Sequence, residues 1–300
     1  MKLVTLTANP SRDLSLQIAR IAPGEVTRAS AVNDVLGGKG INVARVAAHQ
    51  GAVTVAVLPC RDDEVVRVEN ELTSARVEPS IVSRAGGLRT NVTLLEPSGR
   101  STKVNSPGVE LAPNEVVALI ERILDASADA DIVALCGSLP ASAPHALYAM
   151  IAERLPDADD RLIVDTSGAP LAEAVLRPSR LIKPNREELE ALVGRELPSR
   201  SEVIAACREV MSTGPRSVLV SLDHDGAILV DAEGETSCPA PVVDVVDSTG
   251  AGDALLGGFL AAGTFDTTAL EVGIACAARV LGRVGPLIDD SDPNMNGAHQ

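Results

Sequence analysis

Hydrophobic and polar positions divide the chain into short apolar runs and longer segments with helical spacing. Apolar runs of strand length lie at 3–6, 53–58, 132–135, 162–164 and 217–220. Between some of them, apolar residues recur at intervals of three and four, as at Val116, Leu119, Ile120 and Ile123, which predicts amphipathic helices. Strands that alternate with helices favour an α/β fold with a mostly parallel, doubly wound sheet flanked by helices.

A second, smaller β element interrupts this alternation in the first third of the chain. Residues 89–95 alternate, turn at 97–99 and return as 101–105, which predicts a hairpin. Residues 14–32 add short alternating runs without helical period. Four polar side chains of the hairpin either face solvent or line a lid: Arg89, Asn91, Lys103 and Asn105.

Polar and glycine clusters follow the predicted strands of the large sheet. Five successive strands end near residues 136, 165, 183, 221 and 246, and each carries Gly, Ser, Asp, Lys or Asn at its end. The carboxyl ends of parallel strands meet at one edge of a sheet, where ligands bind in open α/β folds. A single cluster would be an ordinary turn, but five at one edge favour an active-site cleft.

The richest of these clusters is Asp247-Ser248-Thr249-Gly250-Ala251-Gly252-Asp253. A strand-like run at 242–246 precedes it, and a predicted helix at 254–262 follows. Its glycines leave backbone N–H groups uncovered at a helix N-terminus, where an anion is favoured. Asp253 adds a carboxylate beside that anion, which is the arrangement that phosphoryl transfer to a hydroxyl needs. The alternative is a glycine-rich turn with Asp253 as the N-cap.

A second glycine-rich turn, Gly37-Gly38-Lys39-Gly40, precedes a predicted helix at 41–50. Lys39 places a cation where the helix terminus already favours an anion, although a solvated lysine in a turn is the alternative. The turn is not a Walker A loop, because Gly40 stands where Ser or Thr is required. The turn at 250–252 is not a Rossmann fingerprint, because its third glycine is missing.

Composition narrows the classes of partner. The chain of 300 residues carries a net charge of −15, which argues against nucleic acid or an anionic membrane as partner. With two Phe, one Tyr and no Trp, the core is aliphatic and stacking on nucleobases is not expected. Any anionic substrate must therefore meet a few locally placed cations.

Cysteine and histidine usage indicates a cytoplasmic protein without a zinc site. The five cysteines include no C-x-x-C pair, and the four histidines lack metal-ligand spacing. Dispersed cysteines in odd number are typical of reduced thiols in a cytoplasm. No apolar run approaches the roughly 18 residues of a membrane span, and Asn9-Pro10 comes too early for a signal peptide.

Eight motifs occur in a fixed order along the chain. They lie at 9–13, 37–45, 89–91, 105–108, 137–140, 165–168, 183–188 and 247–253. In this order they resemble the ribokinase-like (PfkB) family of carbohydrate kinases, and within it the branch of 1-phosphofructokinase and tagatose-6-phosphate kinase. The resemblance runs from about residue 3 to about residue 285.

The resemblance implies a single ribokinase-like kinase domain over residues 1–300. Segments of about 10–34 and 87–108 would form a small β-sheet lid, inserted in the large α/β domain, through which two copies form a homodimer. Asp253 would be the base that takes the proton from the acceptor hydroxyl. The backbone amides of 250–253, from Gly250, Ala251 and Gly252 to Asp253 itself, would hold the charge developing on the transferred phosphoryl group.

The same resemblance implies ATP and Mg²⁺ as cofactors. The residues that match its ATP contacts are Lys183, Asn185, Ser221, Gly226, Thr249, Gly250 and Gly252. Asn185 and Glu188 match an N-x-x-E motif that holds Mg²⁺ through water around the nucleotide phosphates. Such sparse protein ligation suits Mg²⁺.

A sugar phosphate is the acceptor that the resemblance implies. Asp13, Gly38 and Asn42 match the residues that bind sugar hydroxyls. Lys39, Arg89, Asn91 and Ser138 suit the phosphate already present on that sugar. We expect fructose 1-phosphate as acceptor, with tagatose 6-phosphate or fructose 6-phosphate as alternatives. A non-catalytic sugar-phosphate sensor is the hypothesis of a different class.

Four positions or segments depart from the family pattern. Arg12 stands where the branch usually has an aliphatic residue, and Ser106 replaces a usual acidic residue. Asp223-His224 replace a glycine-containing pair, and 282–285 resemble the adenine-flanking segment only loosely. None of the four touches the stretch at 247–253.

Overall fold

The computed structural model describes residues 1–244 and 249–282. Its strands are β1 (Lys2–Thr7), β2 (Ser11–Ile18), β3 (Ala29–Gly37), β4 (Val53–Cys60), β5 (Val77–Ser83), β6 (Arg89–Leu95), β7 (Ser101–Asn105), β8 (Ile132–Cys136), β9 (Leu162–Asp165), β10 (Leu181–Ile182), β11 (Val218–Ser221), β12 (Ala227–Val230) and β13 (Glu235–Cys238). Its α-helices are α1 (Lys39–His49), α2 (Val65–Ser74), α3 (Pro113–Ala126), α4 (Leu147–Arg154), α5 (Ala158–Arg161), α6 (Ala169–Ala174), α7 (Arg186–Val193), α8 (Arg200–Met211), α9 (Ala251–Ala261) and α10 (Thr267–Leu281).

A nine-stranded sheet forms the centre of the fold, in the order β13-β12-β11-β10-β9-β8-β1-β4-β5. All neighbours from β11 to β5 pair in parallel, and β12 and β13 add an antiparallel edge. Successive strand residues point to opposite faces, so Leu3 packs with α1, α9 and α10, whereas Val4 packs with α3 and α4. This confirms the predicted doubly wound α/β sheet.

The edge formed by the carboxyl ends of β8, β9, β10 and β11 agrees with four of the five predicted strand ends. The fifth prediction, a strand at 242–246, is wrong for residues 242–244, which are not in a strand; Val242 is fully exposed. Pro239 and Pro241 supply no N–H for strand pairing, which ends the edge at β13. The rest of that run lies outside the described residues.

A separate four-stranded sheet has the order β3-β2-β6-β7. The predicted hairpin is its β6–β7 pair, and β2 lies parallel to β6 and antiparallel to β3. Residues directly opposite each other share a face, so Asp13, Asn91 and Asn105 lie side by side on one face. The other face carries apolar residues together with Arg12 and Asp34, and β3 leads directly into α1.

Helices α1 and α9 pack closely because α9 carries small residues. A Cβ at Gly257 would lie 2.7 Å from the carbonyl oxygen of Val43 on α1. Its neighbour Gly258 faces α10 instead, where a Cβ would lie 2.7 Å from Sγ of Cys276. The two glycines therefore set two different helix–helix distances.

Among residues 1–244 and 249–282, no helix is both long and apolar enough to cross a membrane. All five cysteines are free thiols.

We predict that Gly257→Ala separates α1 from α9 and impairs activity. The added methyl group overpacks this contact, which lowers the free energy of unfolding by about 1–3 kcal/mol. It also moves the N-terminal turn of α9 relative to α1, so turnover falls on the order of tenfold or more. Denaturant unfolding and steady-state kinetics on the purified protein measure the two effects.

Gly258→Ala is the matched control, since it crowds α10 instead of α1. It should cost comparable stability and leave turnover per folded molecule within about twofold. Equal losses of turnover in both variants would contradict the assignment of Gly257 to the α1–α9 spacing.

Candidate active site

The N-terminal turn of α9 presents an anion-binding arrangement. Gly250 is the N-cap with φ 81°, a left-handed conformation that favours glycine. Ala251, Gly252 and Asp253 form the first three helical positions, whose N–H groups have no acceptor within the helix. The helix thus begins three residues earlier than predicted, and Asp253 lies inside its first turn instead of capping it.

Asp253 is buried and held in place by α1. Nδ2 of Asn42 donates a hydrogen bond of 2.8 Å to Oδ2 of Asp253. Burial raises the pKa of Asp253 to about 6, against the opposing charge of Lys39, and the nearby Asp165 carboxylate adds to the rise. The carboxylate is therefore ionised at neutral pH but is a stronger proton acceptor than an exposed aspartate.

A fully buried carboxylate, Asp165 at the end of β9, pairs with two lysines. Nζ of Lys39 lies 2.9 Å from Oδ1, and Nζ of Lys183 lies 3.2 Å from Oδ2. Burial opposes ionisation of Asp165, but the charges of Lys183 and Lys39 outweigh it and hold the pKa of Asp165 below its ordinary value. Asp165 in turn raises the pKa of Lys39.

Lys183 also reaches the N-terminal turn of α9. Its Nζ lies 3.6 Å from the position that a Cβ on Gly252 would occupy. Asp165 therefore connects Lys39, which begins α1, with a lysine beside the anion-binding turn. The sequence motifs assign the two lysines to different substrates, and no sequence signal indicates their shared partner.

Asp13 lies on the face of the small sheet that also carries Asn91. Nδ2 of Asn91 and Oγ of Ser11 each donate a hydrogen bond of 2.8 Å to Oδ1 of Asp13. The carboxylate packs so closely on Gly37 that a Cβ there would collide with it. Gly38 follows with φ 132° and is the N-cap of α1. These contacts bring Asp13, Gly38 and Lys39 to one place.

Buried side-chain oxygens of Asn9, Asn42, Asn91 and Asp165 lack hydrogen-bond partners among residues 1–244 and 249–282. Two of them, Oδ1 of Asn42 and Oδ1 of Asn91, lie beside Asp253 and Asp13. Buried polar atoms are nearly always paired in native proteins. Two unpaired acceptors next to Asp13 and Asp253 are therefore suited to the hydroxyl donors of a carbohydrate.

Arg89 and Ser138 meet at Asn9. Nε of Arg89 donates to the carbonyl oxygen of Asn9 at 3.2 Å, and Nη1 donates to the carbonyl oxygen of Ser106 at 3.2 Å. Burial lowers the pKa of Arg89. Nδ2 of Asn9 donates to Oγ of Ser138 at 3.3 Å. The sequence shows Asn9 only as part of a motif. Its contacts with Arg89 and Ser138 cannot be predicted from that motif.

The small sheet contacts the loop before α9. Nζ of Lys103 on β7 donates a hydrogen bond of 2.7 Å to Oγ1 of Thr249. Lys103 and Asn105 are two residues apart in β7 and therefore lie on the same face, and Asn105 pairs in register with Asn91. That alternation is the one sequence signal that could place Lys103 on the site-facing side. Asp247 and Ser248 lie outside the described residues.

Asn185 and Glu188 form the capping box of α7. The backbone N–H of Glu188 donates to Oδ1 of Asn185 at 2.8 Å, and the N–H of Asn185 donates to Oε2 of Glu188 at 2.9 Å. Within residues 1–244 and 249–282, no group of three or more His, Cys, Asp or Glu side chains could hold a metal ion. The side-chain oxygens of Asn185 and Glu188 are hard ligands of the kind that Mg²⁺ accepts while it keeps most of its water.

Ser221 and Gly226 bracket the turn between β11 and β12. Ser221 is half-buried and bridges to Asn185, since its N–H donates to the carbonyl oxygen of Pro184 at 3.2 Å. Gly226 has φ 90°, and a Cβ there would lie 2.6 Å from the backbone N of Ala240. The turn therefore needs glycine for its own packing. It places Ser221 beside the N-terminus of α7.

The sequence profile of pfkB family carbohydrate kinases matches residues 3–292. The chain belongs to this family. It is a carbohydrate kinase, for which ATP is the implied phosphoryl donor. The family resemblance stated from the motifs is thereby confirmed.

Two enzymes and one solved structure show the extent of the similarity. The chain is 33% identical over 276 residues to 1-phosphofructokinase of Xanthomonas campestris pv. campestris, covering 90% of this chain and 87% of that one. It is 34% identical over 262 residues to 1-phosphofructokinase of Escherichia coli K12, covering 86% and 83%. The crystal structure of E. coli phosphofructokinase-2 with fructose-6-phosphate aligns with a TM-score of 0.86 at 30% identity, covering 93% of each chain.

We predict that protonation of Asp253 limits activity in acid. Because its pKa is raised to about 6, kcat/KM should fall below that pH, approaching a tenfold loss per pH unit. A pH profile of kcat/KM for the acceptor, recorded at saturating ATP, measures this. A profile that stays flat down to about pH 5 would contradict the role of Asp253 as base.

Linkage gives a second expectation for Asp253. Between its ordinary pKa of about 4 and the folded value of about 6, the folded protein binds a proton that the unfolded chain does not. The contribution of Asp253 to stability therefore falls as pH rises through this window. Asp253→Asn should gain thermal stability relative to the wild type as pH rises from about 4 to about 7. A difference in melting temperature between Asp253→Asn and the wild type that stays constant over this range would contradict the raised pKa.

Proposed function

We propose that the protein transfers the γ-phosphoryl group of ATP to fructose 1-phosphate, giving fructose 1,6-bisphosphate and ADP. The observation that carries this proposal is Asp253 at the N-terminal turn of α9, beside the Lys39–Asp165–Lys183 group. The similarity to 1-phosphofructokinases over most of the chain supports the choice of acceptor. Fructose 6-phosphate is the second candidate, because the aligned phosphofructokinase-2 structure contains it.

In the proposed reaction, Asp253 accepts the proton of the acceptor hydroxyl as its oxygen attacks the γ-phosphorus. The bond between the γ-phosphorus and the bridging oxygen breaks, and that oxygen leaves with ADP. Asn42 orients the Asp253 carboxylate through the 2.8 Å hydrogen bond. The N–H groups of Ala251, Gly252 and Asp253 stabilise the charge on the phosphoryl group in transfer.

The phosphate that stays on the sugar needs cations, because the chain carries a net charge of −15. We assign this role to Lys39 and Arg89, with Asn91 and Ser138 as hydrogen-bond donors. Lys39 has three N–H donors, of which Asp165 takes one. We assign the sugar hydroxyls to Asp13, Asn42 and the backbone at Gly38.

We assign the ATP phosphates to Lys183 and the turn at 249–252, including Thr249, and the rest of the nucleotide to the segment around Ser221 and Gly226. Asn185 and Glu188 would hold Mg²⁺ through its water ligands. When bound, Mg²⁺ reduces the negative charge that opposes attack on the γ-phosphoryl group. The capping hydrogen bonds fix both side chains at the start of α7.

We further propose that residues 1–300 form one kinase domain, which acts in the cytoplasm, and that the small sheet is its lid. The lid, about 10–34 and 87–108, covers the acceptor with the face that bears Asp13 and Asn91. Six apolar side chains share the opposite face in register: Leu14, Leu16, Val32, Val92, Leu94 and Val104. We assign this face to a homodimer contact.

Acceptor choice is tested by ADP release with fructose 1-phosphate, fructose 6-phosphate, tagatose 6-phosphate and ribose. We expect fructose 1-phosphate to have the highest kcat/KM. Asp253→Asn should reduce kcat by about 10²–10⁴-fold, the usual contribution of a positioned general base. Lys39→Met should raise the KM for the sugar phosphate, and the matched variant Lys39→Arg, which keeps the charge, should recover part of it.

Each outcome of this screen has a distinct meaning. A preference for ribose would refute the phosphate-binding roles of Lys39 and Arg89. Equal turnover by Asp253→Asn would refute the base assignment. Binding of a sugar phosphate without turnover by the wild type would favour the sensor hypothesis.

The lid contact is tested by mass in solution. We expect light scattering to give twice the chain mass of 31.0 kDa for the wild type. Val32→Lys and Val104→Lys, at side chains 63% and 60% exposed, should give the monomer without loss of fold. Val53→Lys, at a side chain 61% exposed on the large sheet, is the matched control and should leave the mass unchanged. A monomeric wild type at all concentrations would refute the contact.

A further inference from the structure

The junction between the small sheet and α1 lies at Leu36, which is held by side chains from two helices. Its backbone N–H donates a hydrogen bond of 2.7 Å to Oε2 of Glu71 on α2. Its carbonyl oxygen accepts a hydrogen bond of 2.5 Å from Nη1 of Arg45 on α1. Leu36 belongs to an edge strand, so these groups would otherwise remain without strand partners.

A chain of ion pairs extends from this junction across the base of the small sheet. Nε of Arg67 donates to Oε1 of Glu71 at 2.7 Å, and Nη2 of Arg67 lies 3.0 Å from Oδ1 of Asp34. Asp34 also pairs with Arg12 of β2. We call Arg12, Asp34, Arg67, Glu71 and Arg45 the junction network.

The charges of the junction network are mutually stabilised. Burial opposes ionisation of Asp34, but hydrogen bonds from Arg12 and Arg67 outweigh it and lower the pKa of Asp34. Arg45 is only 7% exposed, and Nη2 lies 3.8 Å from Oε2 of Glu71. Removing Glu71 would leave the Leu36 N–H without its acceptor and the buried Arg45 guanidinium without the carboxylate beside it.

The network surrounds the segment that carries the proposed acceptor contacts. Leu36 is followed directly by Gly37, which packs against the Asp13 carboxylate, and then by Gly38 and Lys39. Arg12 precedes Asp13 on β2 and lies opposite Leu36 in register. A displacement of Leu36 would therefore move the Asp13 and Lys39 sides of the acceptor site relative to each other.

We propose that Glu71, through Leu36, is a positioning residue of the acceptor site and that Asp34 and Arg67 support it. This inference rests on the proposed function, because it takes Asp13, Gly38 and Lys39 as the acceptor site. It also gives a role to Arg12, which departs from the aliphatic residue usual in the branch: Arg12 pairs with Asp34 at the end of the network. Glu71 contacts neither Asp253 nor Lys183, so its effect falls on acceptor binding.

Kinetics of Glu71→Ala, Glu71→Gln and Asp34→Asn test the proposal. Glu71→Ala should raise the KM for the sugar phosphate on the order of tenfold, the loss expected for a charge-assisted hydrogen bond. Its kcat and its KM for ATP should stay within about twofold. Glu71→Gln keeps an oxygen for the Leu36 N–H and should recover much of the loss. Asp34→Asn should show a smaller rise of the same kind.

Glu209→Ala is the matched control. Glu209 accepts an equally short hydrogen bond, 2.7 Å from Nη2 of Arg195, on the exposed surface of α8. Its removal should leave both KM values unchanged. Equal KM values for the wild type and Glu71→Ala, or a change confined to ATP, would overturn the proposal.

Amide hydrogen exchange of the ligand-free protein gives a readout that does not depend on activity. The Leu36 amide should exchange at least tenfold faster in Glu71→Ala than in the wild type and close to the wild-type rate in Glu71→Gln. If the wild type phosphorylates none of the sugar phosphates, the proposed function fails while this exchange result still tests the junction. Unchanged exchange at Leu36 in Glu71→Ala would overturn the positioning role even in an active enzyme.

Discussion

The hydrogen bond between Asn42 and Asp253 is the constraint on which the site depends. It joins residues 211 positions apart, one from the first helix of the chain and one from its second-last described helix. The bond requires α1 and α9 to approach until Gly257 touches the backbone of Val43. The central sheet provides that approach, because both helices pack on the same face of β1 and β8. In the proposed reaction, the acceptor hydroxyl and the phosphoryl group meet beside this contact.

Local patterns in the sequence predicted much of this fold. Apolar runs with polar ends predicted β8, β9, β10 and β11, because a buried parallel strand must be apolar and its carboxyl end must reach the ligand edge. β5 was not predicted, since Pro79 interrupts its pattern and is tolerated only because β5 is an edge strand. The run at 242–244 looked like a strand because composition does not reveal whether a neighbouring strand is present.

The sequence predicts candidate residues for the site but not the contacts between them. Glycine-rich turns indicate Lys39 and Asp253 as candidates, because anion binding at a helix terminus has a local sequence signature. The shared partner of Lys39 and Lys183, the branching of Asn9 and the contact of Lys103 with Thr249 all join distant segments. These contacts depend on the relative positions of the two sheets and their helices, which local sequence patterns do not predict.

The pairing of Asp165 with both lysines has a consequence for how this protein can diverge. A carboxylate with no access to water does not tolerate the loss of both cations, so Lys39 and Lys183 share one electrostatic environment. A change of sugar specificity made through Lys39 would alter the setting of the lysine assigned to ATP. Substitutions around Lys39 and around Lys183 should therefore coevolve, so that specificity for the sugar and specificity for the nucleotide change together.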